Sequence, residues 1–234
     1  MTERFFNDGE TYKHMKKKKR MRLTDKKKKL LIQKHMKTGV LLLLLLFIGI
    51  VIWKVRTPSS TKTDADALKP EIDVELLTPN EYSRPVITNE KINGIVVHYT
   101  ANPGSTAMEN RDYFEGLKDT HLTKVSSNFV IGLEGEIVQC IPTWEMAYAS
   151  NDRNGDTISI ECCHPDETGK FNDATYKSLV QLCVWLCVKY DLTAEDVIRH
   201  YDVTGKDCPK YFVENEEAWV QFRENIADGL NSAN

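Results

Sequence analysis

The chain has 234 residues, of which 41% are hydrophobic and 28% are charged, so it can bury a core and is not disordered throughout. Its net charge of -3 combines unequal pieces: 14 basic residues face 4 acidic ones up to Thr38, whereas 15 face 30 from Thr57 onward. Nucleic-acid binding is driven by neutralisation of phosphates. The acidic C-terminal body is therefore expected to bind no nucleic acid.

An uncharged run, GVLLLLLLFIGIVIW at 39–53, separates the basic part from the acidic part. It is shorter than the roughly 20 residues of a full bilayer span, but Lys54 and Val55 can extend it. A cleaved signal peptide is the alternative, yet the preceding segment is long and no small-residue cleavage site follows closely. A buried soluble helix is a third interpretation. We expect an uncleaved transmembrane signal anchor at 39–55.

The N-terminal tail, 1–38, contains the runs KKKKR at 16–20 and KKKK at 26–29. Positive charge before the anchor places the tail in the cytoplasm and the acidic body outside, as in a single-pass type II protein. The tail is also expected to rest on anionic lipid headgroups, with nucleic-acid binding or nuclear targeting as alternatives. Residues 56–70, which are polar and rich in Ser and Thr, predict a flexible linker before a domain at 71–234.

The domain alternates between β-branched runs and amphipathic segments. This pattern predicts an α/β fold with a mixed central sheet flanked by helices. The predicted elements, in chain order, are a strand at 92–99, a helix at 105–117, a hairpin at 128–141, a strand at 157–163, a buried helix at 172–190 and an amphipathic helix at 215–230.

Two histidines and a cysteine are the main candidates for chemistry. His98 ends a predicted strand in VVHYT, and His200 lies in RHYDVTGKDCP, eight residues before Cys208. Two imidazoles and a thiolate form a ligand set that zinc accepts, with a fourth position left for water. The spacing from His200 to Cys208 does not fit one helical face, so the loop must fold back. A structural histidine is the alternative for His98.

Four segments together resemble the zinc-dependent N-acetylmuramoyl-L-alanine amidases, a family that includes endolysins and is related to peptidoglycan recognition proteins. The resemblance runs from about residue 77 to residue 230, and it rests on the segments IVVHYT, SSNFVIGLEGEIVQCIP, TISIECCH and RHYDVTGKDCP. It implies the mixed sheet with flanking helices. It also implies hydrolysis of the amide between muramic acid and L-alanine of the stem peptide.

The resemblance implies a role for five residues. His98, His200 and Cys208 would bind Zn²⁺, Glu161 would be the catalytic glutamate, and Lys206 would lie beside the metal and stabilise an oxyanion. Without the resemblance, Glu161 is an acid on a strand edge and Lys206 a solvated loop residue.

The chain departs from the family pattern in two places and leaves one ligand open. Asn128 stands where relatives often have histidine, and Tyr148 stands in an Ala-Tyr-Ala segment where relatives often have Trp-His-Ala. These are departures at positions of substrate contact in the groove. Some relatives use an aspartate as the third ligand, which makes Asp207 the alternative to Cys208. His164 is expected to be a loop residue or a groove residue. By position alone, further groove candidates are Asn93, Tyr99, Asn102 and Asn151.

The other five cysteines are expected to pack in the core, with a disulfide as the alternative. The functional expectation is a membrane-anchored enzyme of the bacterial cell membrane that remodels peptidoglycan outside the cytoplasm. Two alternatives stay open: a module that binds peptidoglycan without cleaving it, and a zinc hydrolase of another cell-wall amide. The oligomeric state is not predicted.

Overall fold

The structure, a computed structural model, describes residues 12–22, 24–30, 32–33 and 65–233. It divides into two compact units, residues 1–59 and 60–234. In the first unit the described residues are helical and exposed, in keeping with the good helix propensity of lysine and arginine. The predicted anchor at 39–55 lies outside the described residues. Among the helices that are described, none is both long and apolar enough to cross a bilayer.

The second unit contains six strands and five α-helices within residues 65–233. The strands are β1 (Asp73–Val74), β2 (Gly94–Tyr99), β3 (Phe129–Ile131), β4 (Ile137–Gln139), β5 (Thr157–Cys162) and β6 (Val197–Arg199). The helices are α1 (Ala107–Thr120), α2 (Asp173–Tyr190), α3 (His200–Thr204), α4 (Lys210–Glu214) and α5 (Glu216–Ala233).

The six strands form one mixed sheet in the order β1-β4-β3-β5-β2-β6. The strands β3, β5, β2 and β6 run parallel to one another, and β3 and β4 form the predicted antiparallel hairpin. The longest ladder joins β2 to β5, from Gly94 opposite Thr157 to Tyr99 opposite Cys162. Central parallel strands are covered on both faces, which agrees with the apolar sequences of β3 and of the first part of β2, whereas β5 alternates between polar and apolar residues. The predicted mixed sheet with flanking helices is confirmed.

The two faces of the sheet are covered by different helices. Ile95, Val97, Ile158 and Ile160 belong to a buried cluster that also contains the apolar faces of α2 and α5. On the opposite face, α1 packs over the hairpin in a second cluster. Because successive side chains of a strand alternate between faces, His98 of β2 lies on the face away from α2 and α5.

The helix boundaries follow capping signals in the sequence. Thr106 caps α1 and forms a capping box with Glu109, so the helix begins two residues later than predicted. Asn172 caps α2, whose bounds match the prediction within one residue. Before the sheet, Ala65–Leu68 form a 3₁₀ turn whose apolar side chains pack against the core, although the predicted linker extends to residue 70.

All six cysteines are free and buried. Cys183 and Cys187 lie one turn apart on the buried face of α2, and Cys162 packs in the same cluster. These thiols therefore act as small core residues, as the first of the two alternatives expected.

Asn128 is a buried structural residue and does not line a groove. Its amide nitrogen Nδ2 donates to the carbonyl oxygens of Pro142 (3.2 Å) and Glu145 (3.0 Å). Its Oδ1 accepts a hydrogen bond from the backbone N–H of Ser159 at 3.0 Å. The side chain thus joins the start of β3, the loop after β4 and the middle of β5. At this position the chain therefore has a side chain that stabilises the packing of the domain, where relatives often have a histidine.

We expect Asn128→Ala to lower the free energy of unfolding by about 3 kcal/mol, because a buried group that loses its hydrogen-bond partner costs about 1–3 kcal/mol. Chemical denaturation followed by tryptophan fluorescence measures this change. Asn93→Ala is the matched control, since Asn93 is exposed and is expected to change stability by less than about 1 kcal/mol. Equal stability of the two variants would show that the Asn128 hydrogen bonds contribute nothing.

Candidate metal centre

His98 and Glu161 are placed side by side by the register of the sheet. They lie directly opposite each other in the parallel ladder between β2 and β5. Both side chains leave the sheet on the face that α2 and α5 do not cover. His98 is buried and Glu161 is half-buried, so the two predicted site residues meet where the sheet face is partly open.

His200 and Cys208 come together because the chain reverses after β6. His200 begins the short helix α3. Gly205 follows the helix as its C-cap, with a φ of +75° that suits glycine. The segment after Gly205 returns, and the backbone N–H of Tyr201 donates to the carbonyl oxygen of Cys208 at 2.9 Å. The predicted folding back of this loop is therefore observed.

His98, His200 and Cys208 form a buried cluster in which the three ligand atoms lie within 4.8 Å of one another. Cys208 Sγ is 3.8 Å from His98 Nδ1, and the two imidazole centroids are 4.7 Å apart. Zinc bonds of about 2.3 Å to sulfur and 2.0 Å to nitrogen put neighbouring ligand atoms of a tetrahedron about 3.3–3.5 Å apart. His200 Nδ1 is buried and has no hydrogen-bond partner among the described residues. The cluster therefore fits a metal ion.

The protonation of the three ligands follows from their burial. Burial, together with the charges of His200 and Lys206, holds the pKa of His98 well below its ordinary value. Burial and Lys206 also lower the pKa of His200, so both rings are neutral, as metal binding requires. Burial and the charge of Glu161 raise the pKa of Cys208 to about 12. A metal must therefore displace the thiol proton when it binds.

Glu161 is an acid whose environment favours its protonated form. Burial raises the pKa of its carboxyl to about 8, and the charge of Lys206 opposes this shift only in part. Its Oε2 is buried and makes no hydrogen bond within the described part of the chain. A carboxyl that exchanges its proton near neutral pH and has an unpaired oxygen is suited to general acid–base chemistry.

Lys206 and Asp207 lie on the loop between His200 and Cys208, and both are exposed. The charge of Lys206 acts on His98, His200, Glu161 and Cys208, so its ammonium group lies near the whole cluster. The cluster contains Cys208 and not the exposed Asp207, which supports the cysteine as third ligand.

Two further candidates, His164 and Asn93, have surroundings that do not fit a role in this site. His164 is buried, and its Nδ1 donates to the carbonyl oxygen of Asp166 at 2.7 Å, which fits a loop residue better than a groove residue. Asn93 precedes β2 and bonds to Asp156, at the opposite end of the strand from His98, so it is not part of this site.

Asn151 does lie at the site, although it was selected by position alone. Its Oδ1 is 3.0 Å from His200 Nε2. Its neighbour Ser150, which sequence reasoning missed, places Oγ 3.3 Å from His98 Nε2. No motif or periodicity marks Ser150, because its contact depends on a turn that the sequence pattern does not reveal.

Comparison with known proteins gives the family that the sequence resembles. Residues 88–211 match the Amidase_2 family, described as N-acetylmuramoyl-L-alanine amidase. The N-acetylmuramoyl-L-alanine amidase CwlL of Bacillus licheniformis is 33% identical over 159 residues, which cover 63% of this chain and 44% of CwlL. The chain thus spans less than half the length of this relative.

Two solved structures are similar over the second unit. PlyL has 25% sequence identity and a TM-score of 0.59, with coverage of 68% of this chain and 99% of PlyL. The PlyG catalytic domain has 26% identity and a TM-score of 0.59, with coverage of 69% of this chain and 96% of that domain. The family match covers more than half of the sequence, and the chain belongs to the N-acetylmuramoyl-L-alanine amidase family.

Proposed function

We propose that the chain is a zinc-dependent hydrolase that cleaves the amide between N-acetylmuramic acid and L-alanine in peptidoglycan and thereby remodels the cell wall. The observation that carries this proposal is the buried cluster of His98, His200 and Cys208, with Glu161 on the neighbouring strand. Family membership supports the choice of bond.

Zinc fits this donor set better than a hard cation does. Imidazole and thiolate are ligands of zinc, whereas magnesium and calcium take oxygen ligands. Three protein ligands are typical of catalytic zinc sites, and four are typical of structural ones. When bound, zinc would supply a Lewis acid that acidifies water and polarises the scissile carbonyl.

Glu161 moves the proton in the proposed reaction. In its ionised form, Glu161 accepts a proton from the attacking water at the unpaired Oε2, and the resulting carboxyl then donates that proton to the nitrogen of the leaving amine. Burial keeps the pKa of this carboxyl at about 8, so the proton can be taken up and released near neutral pH. The same residue thus acts first as base and then as acid.

Lys206 supplies positive charge at the rim of the site. Its ammonium group is exposed, so a substrate can reach it, and its charge extends to Glu161 and both histidines. A cation in this position stabilises the negative oxygen that develops when the amide carbonyl is attacked. We assign Lys206 this role.

The location that we propose is the bacterial cell membrane, with a single-pass anchor at 39–55 and the catalytic domain outside the cytoplasm. The support is the charge distribution, which has 14 basic residues before the apolar run and an acidic excess after it. Attachment to the membrane would limit hydrolysis to peptidoglycan within reach of the linker at 56–70.

We expect Glu161→Gln to lower amidase activity by about 10²–10⁴-fold while zinc stays bound, because the amide can neither take up nor deliver the proton. Purified peptidoglycan is digested with the full chain and the products are analysed by mass spectrometry, alongside metal analysis of the protein. Glu224→Gln on the exposed face of α5 is the matched control and should keep full activity. Loss of zinc or of folding in Glu161→Gln would make Glu161 a structural residue.

The same digestion separates the proposed function from its two alternatives. Release of stem peptides that begin with a free L-alanine, only when zinc is present, supports the amidase. Cleavage at a different amide would keep the zinc chemistry and change the substrate. Unchanged muropeptides, together with retention of the protein on the cell wall, would indicate a module that binds peptidoglycan without cleaving it.

We expect Cys208→Ser to weaken zinc binding by at least about tenfold, since a neutral hydroxyl replaces a thiolate ligand. Competition with a chromophoric chelator measures the affinity. Asp207→Asn serves as the matched control and should bind zinc as the unmodified chain does. The reverse pattern, with zinc lost in Asp207→Asn and kept in Cys208→Ser, would transfer the third ligand to the aspartate.

We expect the full chain to sediment with membranes and its domain to be accessible from outside. Protease added to intact spheroplasts should remove the acidic domain and leave a protected fragment that contains the basic tail. An antibody epitope placed at the N-terminus detects that fragment. Recovery of the chain in the soluble fraction after removal of residues near 39 would instead indicate a cleaved signal peptide.

A further inference from the structure

We propose that Ser150 and Asn151 are positioning residues that hold His98 and His200 in the tautomer that presents Nδ1 to the metal. This inference rests on the zinc site of the proposed function and extends it to residues outside the ligand set. Two consecutive side chains would thus orient two ligands, one on β2 and the other at the start of α3.

In both imidazole rings, Nε2 contacts a side chain of the turn and Nδ1 does not. His98 Nε2 lies 3.3 Å from Ser150 Oγ, and His200 Nε2 lies 3.0 Å from Asn151 Oδ1. The Nδ1 atom of His98 lies within the ligand cluster, 3.8 Å from Cys208 Sγ. The Nδ1 atom of His200 is buried and has no hydrogen-bond partner among the described residues.

The hydrogen-bonding groups decide which nitrogen carries the hydrogen. A carboxamide oxygen only accepts, so His200 Nε2 must donate to Asn151, which leaves a lone pair on Nδ1. Ser150 Oγ can accept from His98 Nε2 while it donates its own hydrogen to Ser159 Oγ at 3.1 Å, and we assign this direction to the two bonds. With the bonds in these directions, both rings have a free lone pair on Nδ1, the atom that a metal needs.

The turn at 149–154 is built so that these two side chains are available. Asn154 Oδ1 accepts from the backbone N–H groups of Ala149 (3.0 Å) and Ser150 (2.6 Å), and this holds the turn. Asn151 has a φ of +51°, a left-handed conformation that asparagine tolerates better than most residues. The side-chain oxygens of Ser150 and Asn151 take no part in the turn's own hydrogen bonds and bond instead to the site.

The test measures zinc affinity in the full chain, purified in detergent, by competition with a chelator. Asn151→Gly keeps the left-handed backbone but loses the acceptor, and we expect about 10–100-fold weaker binding. Ser150→Ala should weaken binding by about tenfold because His98 loses its acceptor. Asn151→Asp keeps an acceptor oxygen and adds a charge that makes the imidazole more basic, so it should bind zinc at least as tightly as the unmodified chain.

Asn93→Ala is the matched control, since it removes an asparagine side chain far from the cluster and should leave zinc affinity unchanged. Thermal melting of each variant by circular dichroism confirms that the fold is retained. The opposite directions expected for Asn151→Gly and Asn151→Asp separate an acceptor role from a role in the turn alone.

Three outcomes would overturn the inference. Unchanged affinity in both Asn151→Gly and Ser150→Ala, in a chain that binds zinc and cleaves peptidoglycan, would overturn it and leave the proposed function intact. Equal weakening in Asn151→Asp and Asn151→Gly would show that the turn matters and the acceptor does not. An unmodified chain that binds no zinc would overturn both the inference and the proposed function.

Discussion

The parallel register between β2 and β5 is the constraint on which the site depends. It sets His98 opposite Glu161 and directs both side chains away from the core formed with α2 and α5. A slip of one residue would turn either strand over, which would place a histidine or a carboxyl in the apolar cluster and expose its isoleucines. The alternation in β5, where isoleucines enter the apolar cluster and Thr157, Ser159 and Glu161 face the other way, therefore fixes the position of the chemistry as well as the fold.

Burial sets the state of each group at the site. Low accessibility to water favours neutral forms, and so it lowers the pKa of His98 and His200 and raises that of Cys208 and Glu161. For the histidines this produces the ligand form directly. For the thiol it opposes ionisation, so a metal must supply the free energy that removes its proton. The same environment thus favours the ligand form of the two histidines and disfavours that of the thiol. It also raises the pKa of the Glu161 carboxyl towards neutral pH.

Sequence patterns predicted the elements that span many residues or that contain a recognisable turn. The helix α2 and the β3–β4 hairpin span enough residues for their periodicity and turn to be read, and His98, His200 and Cys208 were selected as one ligand set. The strand β6 and the helix α3 were not predicted, because a few residues give no period. Nor could the sequence reveal that the side chain of Asn128 joins three backbone segments, or that Ser150 reaches His98, since both contacts depend on packing between distant segments.

The six cysteines give the molecule a property that goes beyond packing. Since every thiol is free and buried, the folded chain needs no oxidant to reach its native state and presents no thiol to alkylating reagents. Cys162 lies in β5, Cys183 and Cys187 lie in α2, and Cys140 and Cys163 directly follow β4 and β5, whereas Cys208 belongs to the metal cluster. Each thiol thus becomes reactive only when its own part of the structure opens. The rate at which each cysteine is alkylated therefore measures local unfolding of that part.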